Sequence, residues 1–146
     1  MENINITLPD GSIKQLPEGS TGLDLALSIG PGLAKDAVAI KINDVQRDLS
    51  DQLENNSNVS IITIKSDEGL EIMRHTLTAQ VLASAIKNLY PDAKLAIGPT
   101  IEDGFYYDFL TPKPISIDDL PKIEKEMNKI LGSKSSVKKT YHSKDE

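Results

Sequence analysis

The chain has 146 residues, of which 26% are charged and 38% hydrophobic, with a formal net charge of −6 and no cysteine. No apolar run approaches the ~18 residues a membrane span needs, disulfides and thiolate metal sites are excluded, and the acidic balance is the opposite of a freestanding nucleic-acid binder's. The acidity belongs to the first half: residues 1–70 carry five basic side chains against eleven acidic ones, and residues 71–146 carry eleven of each. The opening MENINITLPDG has neither the basic nor the apolar region of a secretory signal, which points to the cytosol.

In chain order, Ile4, Ile6 and Leu8 alternate with polar residues, the pattern of a half-buried strand. Pro9-Asp10-Gly11 signals a tight turn, and Ser12 to Leu16 reads as the returning strand of a hairpin. Ser20 or Thr21 can cap a short helix through Leu23, Leu25, Ala26 and Ile29, which Gly30-Pro31-Gly32 stops. Val38, Ile40 and Ile42 alternate again. Asn43-Asp44 turns the chain, and Val45 to Leu49 pairs back. Val59 to Ile64 is β-branched almost throughout and reads as a buried strand. This order suits a β-grasp (ubiquitin-like) unit at residues 1–64, a mixed sheet with one helix across its face.

The second part, residues 68–146, begins on a long helix. Asp67 and Glu68 suit its first turn, and Leu70, Met73, Leu77, Val81, Ala85 and Leu89 recur at steps of three and four. Tyr90-Pro91 ends it. Strands are expected at Leu95 to Ile97 and Phe105 to Phe109, around the Gly98-Pro99 turn. Phe105, Tyr106, Tyr107 and Phe109 fall within five positions of a chain that is only 4% aromatic. The cluster reads either as a pocket wall or as the core strand of a small domain, the commoner use of aromatics. Ser116 can cap a second amphipathic helix carrying Leu120, Ile123, Met127, Ile130 and Leu131, with Pro121 in its first turn. Val137 to Tyr141 reads as a further strand. The fold class is α+β: a β-grasp domain, then part of a second α+β domain.

Chemistry-bearing motifs are few. His75 and His142 are the only histidines and lack a partner at metal-ligand spacing. Glu102 and Asp103 beside glycine are turn formers. There is no phosphate-binding glycine loop and no serine nucleophile elbow. The lysines at 134, 138, 139 and 144 read as a solvated surface.

Two segments together resemble a known family. Met73 to Phe109, MRHTLTAQVLASAIKNLYPDAKLAIGPTIEDGFYYDF, resembles the opening of the editing domain of bacterial threonyl-tRNA synthetases. The pieces ITLPDGS (Ile6 to Ser12) and SIGPGLAKDAVA (Ser28 to Ala39) resemble the TGS domain that precedes it. The resemblance implies the N-terminal region of a threonine–tRNA ligase, concerned with tRNA binding and with hydrolysis of mischarged seryl-tRNA. It implies no cofactor in this chain. ATP, magnesium and zinc are expected only in a catalytic domain outside it, as is the homodimer of the full-length parent. The partner is threonine-specific tRNA, through the full-length enzyme, in the cytoplasm and without a membrane. A non-catalytic tRNA- or ribosome-associated module is the alternative.

The resemblance also implies site residues. The family's editing helix carries His-x-x-x-His after an arginine, a spacing that puts both imidazoles on one helix face. Here Arg74-His75 begins the motif, but Ala79 and then Gln80 follow where the second histidine is due. Counting back from Ala85-Ile86-Lys87 places Thr76 and Gln80 at the two positions, with one extra residue near Leu77. In an ideal α-helix His75 and Gln80 lie about 140° apart, and a one-residue bulge would restore the pairing. His75 and Gln80 are therefore the catalytic candidates for an editing activity that is weakened or lost. Thr76, Gly98 and Tyr107 are the substrate-binding candidates, the last two reading equally as a turn glycine and a core tyrosine. The helix from Asp67 to Tyr90 is expected to present its polar edge toward Gly98 and the aromatic strand.

Overall fold

The structure, a computed structural model, describes residues 2–145. The chain divides into two compact units, residues 1–74 and 75–146.

The first unit is a mixed five-stranded sheet with the order β2-β1-β5-β3-β4. Strands β1 (Asn3–Thr7) and β2 (Ile13–Pro17) form the expected hairpin, and β1 also pairs in parallel with β5 (Ser57–Thr63). Strand β3 (Ala37–Ile42) lies antiparallel to β5 and to β4 (Val45–Arg47). Asn43 and Asp44 both take positive φ, 49° and 66°. A two-residue hairpin loop of this kind twists in the sense the flanking strands require.

Helix α1 (Gly22–Ile29) starts at a capping box: Asp24 N–H donates to the Thr21 hydroxyl, and the Thr21 N–H donates to the Asp24 carboxylate at 2.8 Å. The Gly30-Pro31-Gly32 break ends α1 but opens a second helix, α2 (Pro31–Asp36), which the sequence reading missed. Proline lacks only an N–H that a first helical turn leaves unpaired, so the same residue can end one helix and begin the next.

Alternation along the strands puts Ile4, Ile6, Ile40, Ile42 and Val59 on one sheet face, where they bury against Leu16, Leu25 and Leu53. Ile6, Leu25 and Ile40 are fully buried. Lys41 and Lys65 form ion pairs with Glu68 at 2.9 Å and Asp36 at 2.7 Å. The Asp36 carboxylate raises the Lys65 pKa above its ordinary value, chiefly through the hydrogen bond it accepts. Helix α3 (Asp67–Thr76) leaves the sheet at Gly69, where a Cβ would collide with the Thr63 carbonyl. A side chain there would force the helix away from β5.

The second unit is built on helix α4 (Ala83–Leu89), reached from α3 through six residues of π-helix, Leu77–Leu82. The Ala83 N–H donates to the Thr78 carbonyl, a five-residue step; farther on, Tyr90 N–H donates to the Ile86 carbonyl, an ordinary α step. The buried residues differ from the expected stripe. Val81 and Ala85 of the expected stripe are inside, but Leu70 and Met73 are 43% and 45% exposed, and Thr78 and Ile86 are fully buried instead.

The strands here are short. β6 (Lys94–Leu95) pairs with β9 (Phe109–Leu110), and β7 (Thr100–Ile101) pairs with β8 (Gly104–Phe105). Loop bonds from Ala96 to Asp108, Asp108 to Ile97 and Tyr106 to Pro99 join the two ladders into one bent hairpin. Its register slips by one residue around Gly98. The expected strands Leu95 to Ile97 and Phe105 to Phe109 are each interrupted at that slip.

A capping box then forms at Ser116 and Asp119, leading through a 3₁₀ turn (Ile117–Asp119) into α5 (Leu120–Gly132). Ile123 and Met127 of α5 pack with Ile86, Tyr90, Ala93 and Phe109. The expected strand at Val137 to Tyr141 is absent: those residues adopt no regular element. Val137 and Tyr141 are 70% and 84% exposed, so alternation there has no neighbouring strand to pair with.

Candidate functional site

The second unit contains the residues singled out from sequence and sorts them into two places. The first is the slip in the hairpin. A Cβ on Gly98 would collide with the Tyr107 ring and the Thr78 methyl group. Gly98 is therefore glycine because an aromatic ring and the π-helix close on it from two sides. Tyr107 also tilts against Phe109, with ring centroids 6.2 Å apart. The helix meets the Gly98 turn through buried Thr78; the polar edge expected there, with Thr76 and Gln80, lines a separate cleft instead, because those positions lie on another face of the helix. Thr78 carried no signal in the sequence, since a threonine in an apolar stripe reads as a defect rather than a contact.

The second place is a cleft of about 530 Å³ lined by Thr76, Gln80, Val81 and Ser84 of the helix, by Ile130 and Leu131 of α5, and by residues 134–138. Thr76, Gln80 and Ser84 recur every four residues, a spacing that keeps them on one face of the helix. Of the two registers open from sequence, the one pairing Thr76 with Gln80 is the one whose residues share a cleft. His75 is exposed and lies outside that lining. His142 hydrogen-bonds the Thr140 hydroxyl at 3.1 Å. Ser84, Lys134 and Lys138 were missed by sequence reasoning, although Ser84 was findable as the next step of the Thr76–Gln80 spacing.

The cleft is equipped to bind rather than to transfer protons. Its lining offers hydroxyls, one amide and two ammonium groups over an apolar floor, with no imidazole and no carboxylate. Glutamine donates and accepts hydrogen bonds but does not titrate near neutral pH. The carboxylate nearest α5's start, Asp119, is held below its ordinary pKa by the Ser116 backbone N–H and then its hydroxyl, which marks it as a cap. Among the described residues, no three His, Cys, Asp or Glu side chains come together as metal ligands. No helix among them is long and apolar enough to cross a membrane.

A β-grasp sheet followed by this helix-and-hairpin unit defines a class. Residues 4–63 match the TGS domain family, and the first unit is a TGS domain of β-grasp fold. Over nearly its whole length the chain is also similar to threonine–tRNA ligases. It is 48% identical over 143 residues to that of Bacillus velezensis, covering 98% of this chain and 22% of the relative. It is 53% identical over 138 residues to that of Desulfatibacillum aliphaticivorans (94% and 21%) and 52% over 128 residues to that of Acetivibrio thermocellus (88% and 20%). The chain belongs to the threonine–tRNA ligase family and corresponds to its TGS-bearing N-terminal region. It spans about 22% of the length of the first of these relatives.

Proposed function

We propose that this region serves a threonine–tRNA ligase by holding the acceptor end of the tRNA in the Thr76–Gln80–Ser84 cleft, and that its hydrolytic editing of mischarged seryl-tRNA is weak. The observation that carries the reading is the open cleft that Thr76, Gln80 and Ser84 line together, at the π-helix of Leu77–Leu82. Such wide turns are rare and cluster at functional sites. Hydroxyl and amide groups can orient a ribose and a water molecule. The usual general base for attack of that water on the ester is an imidazole or a carboxylate, and the lining contains neither. His75 borders the cleft in sequence and is the residue from which a proton acceptor would have to come.

Charging of tRNA with threonine belongs, on this reading, to a part of the parent protein outside the chain, together with ATP, magnesium and zinc. The chain's own donors do not suit zinc: it has no cysteine and only two histidines, 67 positions apart at 75 and 142. Cytoplasmic localisation and dimerisation of the parent follow the same reading. The non-catalytic binding module remains the second reading, favoured by the absence of imidazole from the cleft lining.

The two are separated by a seryl-tRNA deacylation assay on a full-length parent. Gln80→His is expected to raise the hydrolysis rate by ~10-fold or more, the lower range of what one positioned base contributes. An unchanged rate with intact fold sinks the editing reading and leaves the binding module.

A further inference from the structure

Aspartate followed by glycine is the dipeptide whose side chain most readily attacks its own main chain, because glycine has no Cβ to keep the carboxyl carbon away from the following nitrogen. The chain holds nine glycines, and two of them follow an aspartate, Gly11 after Asp10 and Gly104 after Asp103; none follows an asparagine. The two pairs sit in turns of different build. In the first unit Asp10 Oδ1 accepts the Ser12 N–H at 2.9 Å and the Ser12 hydroxyl at 2.6 Å. The Gly11 N–H donates to the Leu8 carbonyl at 2.9 Å, and the Leu8 N–H to the Ser12 carbonyl at 2.9 Å. The carboxylate and the amide that would react are both occupied.

In the second unit Glu102 and Asp103 form the two-residue loop between Ile101 and Gly104, which face each other across β7 and β8. Neither takes the positive φ by which such loops follow the twist of their strands. The ladder behind the loop is two pairs long, a length that is marginal by itself. Asp103 is exposed, and among the described residues no hydrogen bond or ion pair holds its side chain. A Cβ built on Gly104 would meet nothing within 4 Å, so the space around that glycine is open.

We propose that Asp103 is a site of spontaneous isomerisation to isoaspartate, and that Asp10, in the same dipeptide, is kept from that reaction by Ser12. The Gly104 nitrogen loses its proton and bonds to Asp103 Cγ, and the carboxyl gives up an oxygen as water, leaving a cyclic succinimide. A water molecule then opens the ring at either carbonyl, to aspartate or to isoaspartate. The water lost in closing is recovered in opening, and no oxidant or reductant takes part. At Asp10 the same closure has to break both Ser12 bonds and the bond from Gly11 to Leu8. The Ser12 hydroxyl and then its N–H also hold the Asp10 pKa below its ordinary 3.8, which thins the protonated form from which water leaves more readily. Isoaspartate carries the main chain through its side-chain methylene. Conversion at Asp103 therefore inserts one carbon at the tip of the β7–β8 ladder, in the hairpin that closes Tyr107 on Gly98. The reaction needs nothing from the cleft at Thr76 and Gln80 and stands apart from the editing reading.

The test ages the 146-residue chain in neutral buffer, digests it, and locates each isoaspartate by electron-transfer fragmentation of the peptides. Isoaspartate is expected to build up at position 103 at least ~10-fold faster than at position 10, the factor carried by one hydrogen bond to a charged group. In urea, where both turns are unfolded, the two rates should converge. Ser12→Ala should speed conversion at Asp10 by ~3-fold or more, the worth of one ordinary hydrogen bond, and leave Asp103 unchanged. Asp103→Glu should abolish conversion in the loop, since the longer side chain does not close this ring. Absence of isoaspartate at 103, or equal accumulation at 10 in the folded chain, overturns the proposal. A lag at Asp10 that survives in urea, or a Ser12→Ala chain that ages at Asp10 as the original does, overturns the protection by Ser12.

Discussion

The two units spend their apolar residues differently. The first buries eight large or medium aliphatic side chains in one cluster under strands of three to seven residues. The buried cluster of the second holds three, Ile86, Ala93 and Ile123, with partly covered neighbours around them, beside strands of two residues each; the other buried apolar residues there are Val81 and two alanines, Ala83 and Ala85. Ile97 and Leu110 on its bent hairpin are 61% and 68% exposed. An alternating strand that pairs on both sides decides its own buried face. A two-residue ladder decides almost nothing, and its side chains are placed by whatever packs over them. In the first unit geometry follows from pattern; in the second it follows from particular contacts, Gly98 with Tyr107 and Thr78 above all.

The sharpest way to break the comparison uses the distribution of tyrosines, all four of which lie in the second unit. Ile40→Ala empties a fully buried position in the first core and is expected to cost about 3–4 kcal/mol there. Its urea transition, followed by methyl resonances of residues 1–64, should move to lower denaturant while the tyrosine fluorescence transition stays put. Equal movement of both would mean that the units unfold as one.

Gly98→Ala tests the second unit in the same way. The added methyl meets the Tyr107 ring and Thr78, and overpacking of this kind costs about 1–3 kcal/mol. The fluorescence transition should shift by that amount and the first unit's should not. A neutral Gly98→Ala would show that the hairpin slip is loose and that Tyr107 has room to turn away.

Deleting Leu77 sharpens the account of the wide turn. The five-residue bond from Ala83 to Thr78 should give way to four-residue bonds throughout, as read from hydrogen-bond couplings. Stability of the second unit should change by no more than about 1 kcal/mol, the centre of the range for single changes. A π-helix that persists after the deletion would trace it to packing on Thr78 rather than to an extra residue.

The smallest effects are electrostatic. Asp10 is held below its ordinary 3.8 by the Ser12 hydroxyl and then its N–H, and Asp119 by the Ser116 N–H and then its hydroxyl. A carboxylate whose pKa falls on folding contributes stability above the unfolded value and loses it as pH drops through the folded one. Both units should therefore weaken slightly below pH 3.8. Lys65, raised above 10.5 by Asp36, contributes below that value and loses the contribution as pH climbs through its folded pKa. Only the first unit should weaken on that side. Thermal melts across both ranges, read by methyl resonances and by tyrosine fluorescence, check the asymmetry; Asp36→Asn should remove the alkaline part.

Much of the candidate site was legible one residue at a time. The departure from His-x-x-x-His, the extra residue near Leu77 and the pairing of Thr76 with Gln80 all came from counting along the chain against the motif of the family it resembles. The lining of the cleft did not, because residues 134–138 lie more than fifty positions from Gln80 and their approach depends on how α5 packs. The expected strand at 137–141 failed for a related reason: alternation specifies a strand only where another strand accepts its hydrogen bonds.

The amino-acid order alone determined the β-grasp hairpins and the capped helix α1, since each is a local agreement between residue type and backbone; the place of the irregular turn was legible only against the family's motif. Burial of Thr78, the closure of Tyr107 on Gly98 and the union of Thr76, Gln80 and two lysines around one cleft were decided only in three dimensions. Those contacts join segments far apart in sequence, and no local preference of any one segment requires the other to be there.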